Sequence, residues 1–236
     1  MQNSRIITTA LTALLAALPA GAGKPVWETL MQAPLPDDSD PQISVFSIPV
    51  PPAPPVPHPI GAGHTHAGPV FAYILQGEIE NQVEPDPPAI YKPGGSFYET
   101  PTRVHRFLRN LSTTEPAKLI VFEAGSTGQA APAIKTLLQE PLRTTANQEL
   151  SLLRLTLSAG ASSDAHQHSG PAVVYVLEGK IETSSTTYSA GNLFLEPAYR
   201  AGITYRNTSS SEPAKLLLYQ VSEKGGPSPV STKDAR

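Results

Sequence analysis

The sequence predicts an all-β protein built from two similar halves, and three observations support this. Proline accounts for 26 of the 236 residues, and a proline inside a helix removes a hydrogen bond and clashes with the preceding turn. The apolar segments are short, contain many β-branched residues, and are bounded by Gly, Pro, Asn or Ser, as in strands joined by tight turns. In addition, three blocks of sequence occur twice, in the same order.

The repeated blocks show how the two halves correspond. In the first copy they begin at Leu30, His64 and Glu115, and in the second copy at Leu137, His166 and Glu212. The spacing between copies falls from 107 to 102 and then to 97 residues. Both changes fall in turn-rich, proline-containing segments, where a duplicated fold tolerates differences in length.

The repeat and the composition together predict how the chain is organised. We expect a signal peptide in residues 1–22, an N-terminal domain in 23–124, a linker in 125–136, a C-terminal domain in 137–222 and a loose tail in 223–236. The linker is rich in Gly, Ala and Ser. Two domains of about 100 residues each are large enough to bury a core.

The first 22 residues have the parts of a secretory signal peptide. Arg5 supplies a positive charge, residues 6–18 form an apolar stretch, and Ala20-Gly21-Ala22 fits a cleavage site. The apolar stretch is too short for a bilayer core of about 30 Å. We therefore expect a secreted or periplasmic protein with no membrane span after cleavage of the leader. The alternative is an N-terminal helix that stays attached.

The composition disfavours several classes of function. Charged residues make up 16% of the chain, the net charge is −3 and there is no basic run, which disfavours a nucleic-acid partner. The absence of cysteine excludes disulfides, thiolate metal sites and a cysteine nucleophile. The sequence also lacks a phosphate-binding glycine loop. A small molecule is therefore the expected partner.

Three histidines of the first half are candidate metal ligands. His64 and His66 are two residues apart, so in an extended segment their side chains leave the same face. His105 lies beyond a turn that begins at Pro101, and a jelly roll could bring it to that face. Three neutral imidazoles about 2.0–2.2 Å from a common point bind a divalent transition metal. Open positions would remain for water, dioxygen or a substrate.

These residues resemble the two motifs of the cupin superfamily. His64-x-His66 followed by Gly77 is similar to the first motif, and Gly95-x5-Pro101 followed by His105 and Asn110 is similar to the second. Both halves after the leader show the likeness. The resemblance implies a bicupin, with two tandem cupin jelly-roll (double-stranded β-helix) barrels. Cupins include oxidases, decarboxylases, isomerases, lyases and non-catalytic proteins, so the fold does not by itself give a function.

The sequence departs from the family pattern at the glutamate ligand of the first motif. That glutamate is expected seven residues before Gly77, where the chain has Val70, and Ala172 takes the same place in the second copy. Glu99, just before the turn, recurs as Glu196. Two interpretations of Glu99 stay open, because it either replaces the missing carboxylate or is a solvated residue of the turn.

The second copy is expected to be a degenerate, structural half. It keeps His166 and His168 as a weak second site, but counting back from Asn207 places Gly202 where the first copy has His105. We therefore expect at most two metal ligands there. Asn110 and Asn207 also begin glycosylation sequons, which matter only if a eukaryote exports the protein.

The expected function follows from the ligand set. Three neutral ligands leave a divalent ion its full charge, which favours an anionic chelating substrate such as an enolate, phenolate or carboxylate. The resemblance implies a dioxygenase-like, metal-dependent oxidoreductase with Fe(II) favoured over Mn, Zn, Ni or Cu. The alternatives are a redox-neutral isomerase, lyase or cyclase in a biosynthetic pathway, and a non-catalytic metal- or ligand-binding cupin. A homodimer is possible through exposed barrel edges.

Overall fold

The computed structural model describes residues 23–35, 42–53, 63–125, 134–142, 147–225 and 230–231. The described residues form strands and turns and no helix, which confirms the all-β prediction. The described residues contain no helix that is long and apolar enough to cross a membrane. The predicted signal peptide and most of the predicted linker and tail lie outside the described residues.

The described residues form eighteen strands. The first nine are β1 (Val26–Pro34), β2 (Gln42–Val50), β3 (Val70–Gln76), β4 (Ile79–Val83), β5 (Ala89–Tyr91), β6 (Ser96–Glu99), β7 (His105–Asn110), β8 (Ala117–Gly125) and β9 (Lys135–Pro141). The next nine are β10 (Gln148–Leu157), β11 (His166–Gln167), β12 (Ala172–Glu178), β13 (Lys180–Thr183), β14 (Thr186–Ser189), β15 (Leu193–Glu196), β16 (Arg206–Asn207), β17 (Ala214–Glu223) and β18 (Val230–Ser231).

Both halves arrange their strands in the same way. The five-stranded sheets have the orders β6-β3-β8-β2-β9 and β15-β12-β17-β10-β1. The three-stranded sheets have the orders β5-β4-β7 and β14-β13-β16. The second half also pairs β18 with β11, a sheet without a counterpart among the described strands of the first half. In each half, side chains of the large and small sheets share one hydrophobic core. This gives two antiparallel jelly-roll barrels, as the sequence predicts.

Each five-stranded sheet includes one strand from the other half of the chain. Strand β1 pairs with β10, so that Val26 lies opposite Thr156. Strand β9 pairs with β2, so that Gln42 lies opposite Pro141. The domain boundaries at 23–124 and 137–222 stay a prediction, but backbone hydrogen bonds join the two ranges through β1 and β9.

A third hydrophobic core lies between the two five-stranded sheets. Phe71 and Phe122 of the first half contact Tyr219 of the second, with ring centroids 5.7 Å and 5.1 Å apart. Along β8, Ile120 and Phe122 belong to this central core, while Leu119 and Val121 enter the interior of the first barrel. Both faces of β8 are therefore buried, which explains its continuous apolar run.

We expect Phe122→Ala to lower the free energy of unfolding by about 3–5 kcal/mol, because it leaves a cavity between the two sheets. Urea unfolding followed by circular dichroism measures the change. Ile90→Ala is the control, because Ile90 is 56% exposed, and its effect should stay within about 0.5 kcal/mol. Equal effects of the two variants would contradict a buried interface at Phe122.

Candidate metal centre

A pair of backbone hydrogen bonds brings His64 and His105 together. The amide of His64 donates to the carbonyl of His105 at 3.0 Å, and the amide of His105 donates back at 2.8 Å. The ring centroids of these residues are 4.9 Å apart, and those of His64 and His66 are 4.8 Å apart. One ring nitrogen from each of the three histidines lies within 4.8 Å of the others. The structure therefore brings the three predicted ligands to one place.

Glu99 faces the same cluster from the end of β6. Glu99 is only 3% exposed, so the interpretation of Glu99 as a solvated residue of the turn is wrong. Its Oε2 lies 2.6 Å from Nε2 of His66, and its Oε1 lies 3.3 Å from Nε2 of His105. Asn81 donates from Nδ2 to Oε1 of Glu99 at 3.2 Å, and its Oδ1 lies 2.7 Å from Nε2 of His105. Asn81 therefore orients both the carboxylate and the third histidine.

Glu99 also explains how a carboxylate reaches the site without a glutamate at position 70. Strands β3 and β6 are antiparallel, with Val70 directly opposite Glu99. Side chains directly opposite each other on neighbouring strands leave the same face of the sheet. The second half repeats the arrangement, with Ala172 opposite Glu196. The recurrence of the glutamate was the available sequence signal, but its inward direction required the strand register.

Sequence reasoning missed a second carboxylate, Glu123, near the far side of the His66 ring. Leu119 and Val121 of β8 enter the barrel interior, and Glu123 continues this alternation. Its Oε1 lies 3.9 Å from Nδ1 of His66, which is too long for a hydrogen bond but close enough for charge to act. At this distance its carboxylate acts on His66 through charge and not through the hydrogen bond by which carboxylates orient metal-binding histidines. The available signal was one acidic residue at an inward position of an apolar strand.

Burial and nearby charge affect the three histidines differently. Burial lowers the pKa of His64, and the neighbouring His66 and His105 lower it further. Burial also lowers the pKa of His105, although the negative charge of Glu99 acts to raise it. For His66, burial acts to lower the pKa, but the close contact with Glu99 and the charge of Glu123 outweigh it, so the pKa is raised. His66 therefore competes most strongly for protons.

The histidines and Glu99 line one part of a cavity of about 380 Å³. This volume falls within the usual range for small-molecule sites. His64 is exposed, His66 is half-buried and His105 is buried. The other lining side chains are all apolar, namely Ile48, Val70, Ala72, Phe97, Leu108, Val121 and Ile134. Among the described residues, no lysine or arginine lines this cavity.

These residues fit a divalent transition metal. Three imidazoles are donors that such ions commonly take from proteins, and the carboxylate of Glu99 lies beside them. Nε2 of His66 and Nδ1 of His105 are buried and have no aligned hydrogen-bond partner. Nε2 of His66 therefore lies 2.6 Å from Oε2 of Glu99, but the angle between the two groups is not that of a hydrogen bond. Buried polar atoms are normally satisfied, and a bound cation would satisfy these two nitrogens.

The corresponding cluster of the second half is closed and hydrogen-bonded. His166 and His168 lie close enough to Glu196 for the three to form a potential ligand group, one residue more than the sequence predicts. His168 is fully buried, with Nδ1 2.9 Å from Oε1 of Gln220 and Nε2 3.1 Å from Oε2 of Glu196. The hydroxyl of Tyr205 donates to the same Glu196 oxygen at 2.8 Å. Protein groups therefore already occupy most of these donor atoms.

Ile203, and not Gly202, stands where the first half has His105. The amides of His166 and Ile203 each donate to the other's carbonyl at 2.9 Å, repeating the His64–His105 pair. Counting from the sequence is wrong by one residue here, because the β4–β7 pairing of the first half contains a register shift. The second half does lack a third histidine at this position, as the sequence indicates.

The two sequon asparagines have their side chains inside the fold. Asn110 is 1% exposed and Asn207 is fully buried. Nδ2 of Asn110 donates to the carbonyls of Val50 and Glu115, and Nδ2 of Asn207 makes the equivalent bond to Glu212. In the folded protein, these amides hold the loops that precede β8 and β17 and are not presented to solvent.

We expect metal affinity to fall as the pH drops, beginning at a higher pH than for unperturbed imidazole ligands. A histidine must be neutral to bind a metal, and the pKa of His66 is raised, so its protonated form persists to higher pH. Competition titrations with Zn(II) between pH 6 and 8 measure this. Glu123→Gln is the comparison, because removing that charge should move the loss of affinity to lower pH. An unchanged profile in the variant would contradict the role assigned to Glu123.

Comparisons with known proteins agree with the fold. Residues 56–123 match the model of a family described as the cupin domain. No curated protein matches the sequence. Salicylate 1,2-dioxygenase from Pseudaminobacter salicylatoxidans is similar in structure, with a TM-score of 0.53 at 14% identity, covering 76% of this chain and 71% of that chain.

Two other solved structures are similar over most of their length. AerE from Microcystis aeruginosa has a TM-score of 0.53 at 14% identity, covering 83% of this chain and 99% of that chain. The protein YhaK from Escherichia coli has a TM-score of 0.51 at 16% identity, covering 76% of this chain and 86% of that chain. At these identities the likeness concerns the fold alone. Residues 56–123 are therefore similar to the cupin domain, and the described part of the chain shares the jelly-roll fold of these solved structures.

Proposed function

We propose that this protein is a metal-dependent, dioxygenase-like cupin oxidoreductase acting on a small chelating organic molecule. The observation that supports this most directly is the cluster of His64, His66 and His105 at the wall of an apolar cavity. These histidines would hold the ion, and the carboxylate of Glu99 lies beside them, 2.6 Å from Nε2 of His66. Fe(II) is the favoured metal, with Mn, Zn, Ni and Cu as alternatives.

The chemistry would be divided between the ion and the chain. A bound ion of this class polarises a chelating substrate and, if it is iron, supplies the redox chemistry for dioxygen. Asn81 orients His105 and Glu99, and the charge of Glu123 acts on His66 from behind. The apolar wall around Phe97 and Val121 excludes water from the bound substrate. The fold likeness to a salicylate 1,2-dioxygenase agrees with this proposal.

A redox-neutral isomerase, lyase or cyclase is the second candidate. It is favoured by Glu99, a buried carboxylate beside the ligand cluster that could move a proton on a bound substrate. A non-catalytic binding protein is the third candidate. It is favoured by the second half, where hydrogen bonds from His168 and Tyr205 close the equivalent cluster.

Export and assembly also belong to the proposal. We propose that residues 1–22 direct secretion, or transfer to the periplasm, and are then removed. N-terminal sequencing of the exported protein tests this, and a mature chain that still begins at Met1 would contradict it. We also keep the homodimer as a proposal, which light scattering of the purified protein tests directly.

We expect the purified protein to contain about one equivalent of a divalent transition metal, which His105→Ala loses. Ile203→Ala is the matched control, because Ile203 holds the equivalent backbone position in the second half. Elemental analysis measures the metal, and thermal unfolding shows whether each variant is folded. Metal retained in folded His105→Ala, or no uptake by the reloaded wild type, would contradict the proposed centre.

We expect the iron-loaded protein to consume dioxygen in the presence of a diketone or phenolic chelator. An oxygen electrode measures the rate, and the zinc-loaded protein is the control because zinc has no redox chemistry. Activity that survives in the zinc form would favour the redox-neutral candidate. No consumption with any chelator tested would count against the oxidoreductase.

A further inference from the structure

We infer that the N-terminal cavity selects substrates with an apolar body and one chelating head of a single negative charge, such as an enolate, and discriminates against dianionic chelators. The inference rests on the proposed function, because it requires a divalent ion at His64, His66 and His105. The three histidines alone favour anionic substrates of several kinds, including carboxylates in general. The inference limits these substrates to monoanions with an apolar body.

Glu99 adds one negative charge to the site. The three imidazoles bring no charge when they bind a metal, so a divalent ion keeps both of its positive charges. Glu99 is 3% exposed, and its oxygens lie 2.6 Å from His66 and 3.3 Å from His105. Its carboxylate therefore offsets one of the two charges. Among the groups that line the cavity, one positive charge then remains for the substrate, and a monoanion neutralises it.

The described wall of the cavity offers no other cation to receive a second negative charge. No lysine or arginine lines the cavity in the described part of the chain. The arginines on and beside β7 are paired with carboxylates, Arg106 with Glu84 at 2.6 Å, and Arg109 with Glu80. A dianionic ligand would therefore leave one negative charge unpaired beside an apolar wall, which is costly.

Glu123 makes that cost larger. Its carboxylate lies 3.9 Å from Nδ1 of His66, behind the ring that faces Glu99. At the equivalent position the second half has Gln220, which hydrogen-bonds His168 and carries no charge. The first half therefore places two acidic side chains around His66, and both repel a surplus negative charge on a ligand.

Apart from the three histidines and Glu99, the side chains that line the cavity are all apolar. An apolar ligand body gains by leaving water for such a surface. A second polar group on that body would lose its hydration without finding a partner. The cavity therefore favours one polar head at the ligand cluster and a hydrocarbon body against Phe97 and Leu108.

The test is ligand binding to the zinc-loaded, full-length protein, whose metal content is measured first. Tropolone supplies a monoanionic chelator with an apolar ring, and phthalate supplies a dianionic chelator of similar size. Calorimetry above neutral pH gives the ratio of their dissociation constants. We expect wild type to bind tropolone at least about tenfold more tightly than phthalate, because of the unpaired charge.

Tropolone also binds free metal ions well, so the decisive result is the change caused by Glu99→Gln. Removing one negative charge should reduce the preference for tropolone about tenfold. The matched control is Glu196→Gln, the equivalent substitution in the second half, which should leave the ratio unchanged. If Glu99→Gln does not retain zinc, Glu123→Gln makes the same comparison and should also lower the ratio.

The possible failures can be told apart. A wild type that takes up no metal overturns the proposed function and this inference with it. A metal-loaded wild type that prefers phthalate overturns the inference alone. If neither Glu99→Gln nor Glu123→Gln changes the preference for tropolone over phthalate, the inference alone is again overturned.

Discussion

The reciprocal backbone hydrogen bonds between His64 and His105 are the contact on which the candidate centre depends. They join the segment before β3 to the first residue of β7, although the two residues are far apart in sequence. Because backbone atoms make the link, it holds the two rings side by side whether or not a metal is bound. Asn81 and Glu99 then complete the cluster from β4 and β6.

The same backbone link persists in the second half, where the side chains have changed. His166 and Ile203 form an equivalent reciprocal pair, but isoleucine offers no ligand atom. Tyr205 and Gln220 then hydrogen-bond the remaining glutamate and histidine. The repeated backbone has thus been kept while one copy presents an open cluster and the other a closed polar core. This contrast supplies a matched control for each experiment on the first half.

The two halves stabilise each other in two ways. Strands β1 and β9 cross between the sheets, and the aromatic contacts of Phe71 and Phe122 with Tyr219 fill the space between them. Both faces of the central strands are therefore buried, and the interior-facing residues of β8 are held firmly in register. That rigidity fixes the positions of Val121 in the cavity wall and of Glu123 behind His66.

The sequence by itself determined the all-β class, the duplication and the three histidines, because strand alternation, turn residues and motif spacing are local properties of the chain. It also located the missing glutamate at Val70. Only the tertiary structure decided that Glu99 points inward opposite Val70, that Glu123 lies behind His66, and that Ile203 replaces the third histidine. These facts depend on register between distant strands, where a shift of one residue turns a side chain to the other face. No local pattern in the sequence specifies that register.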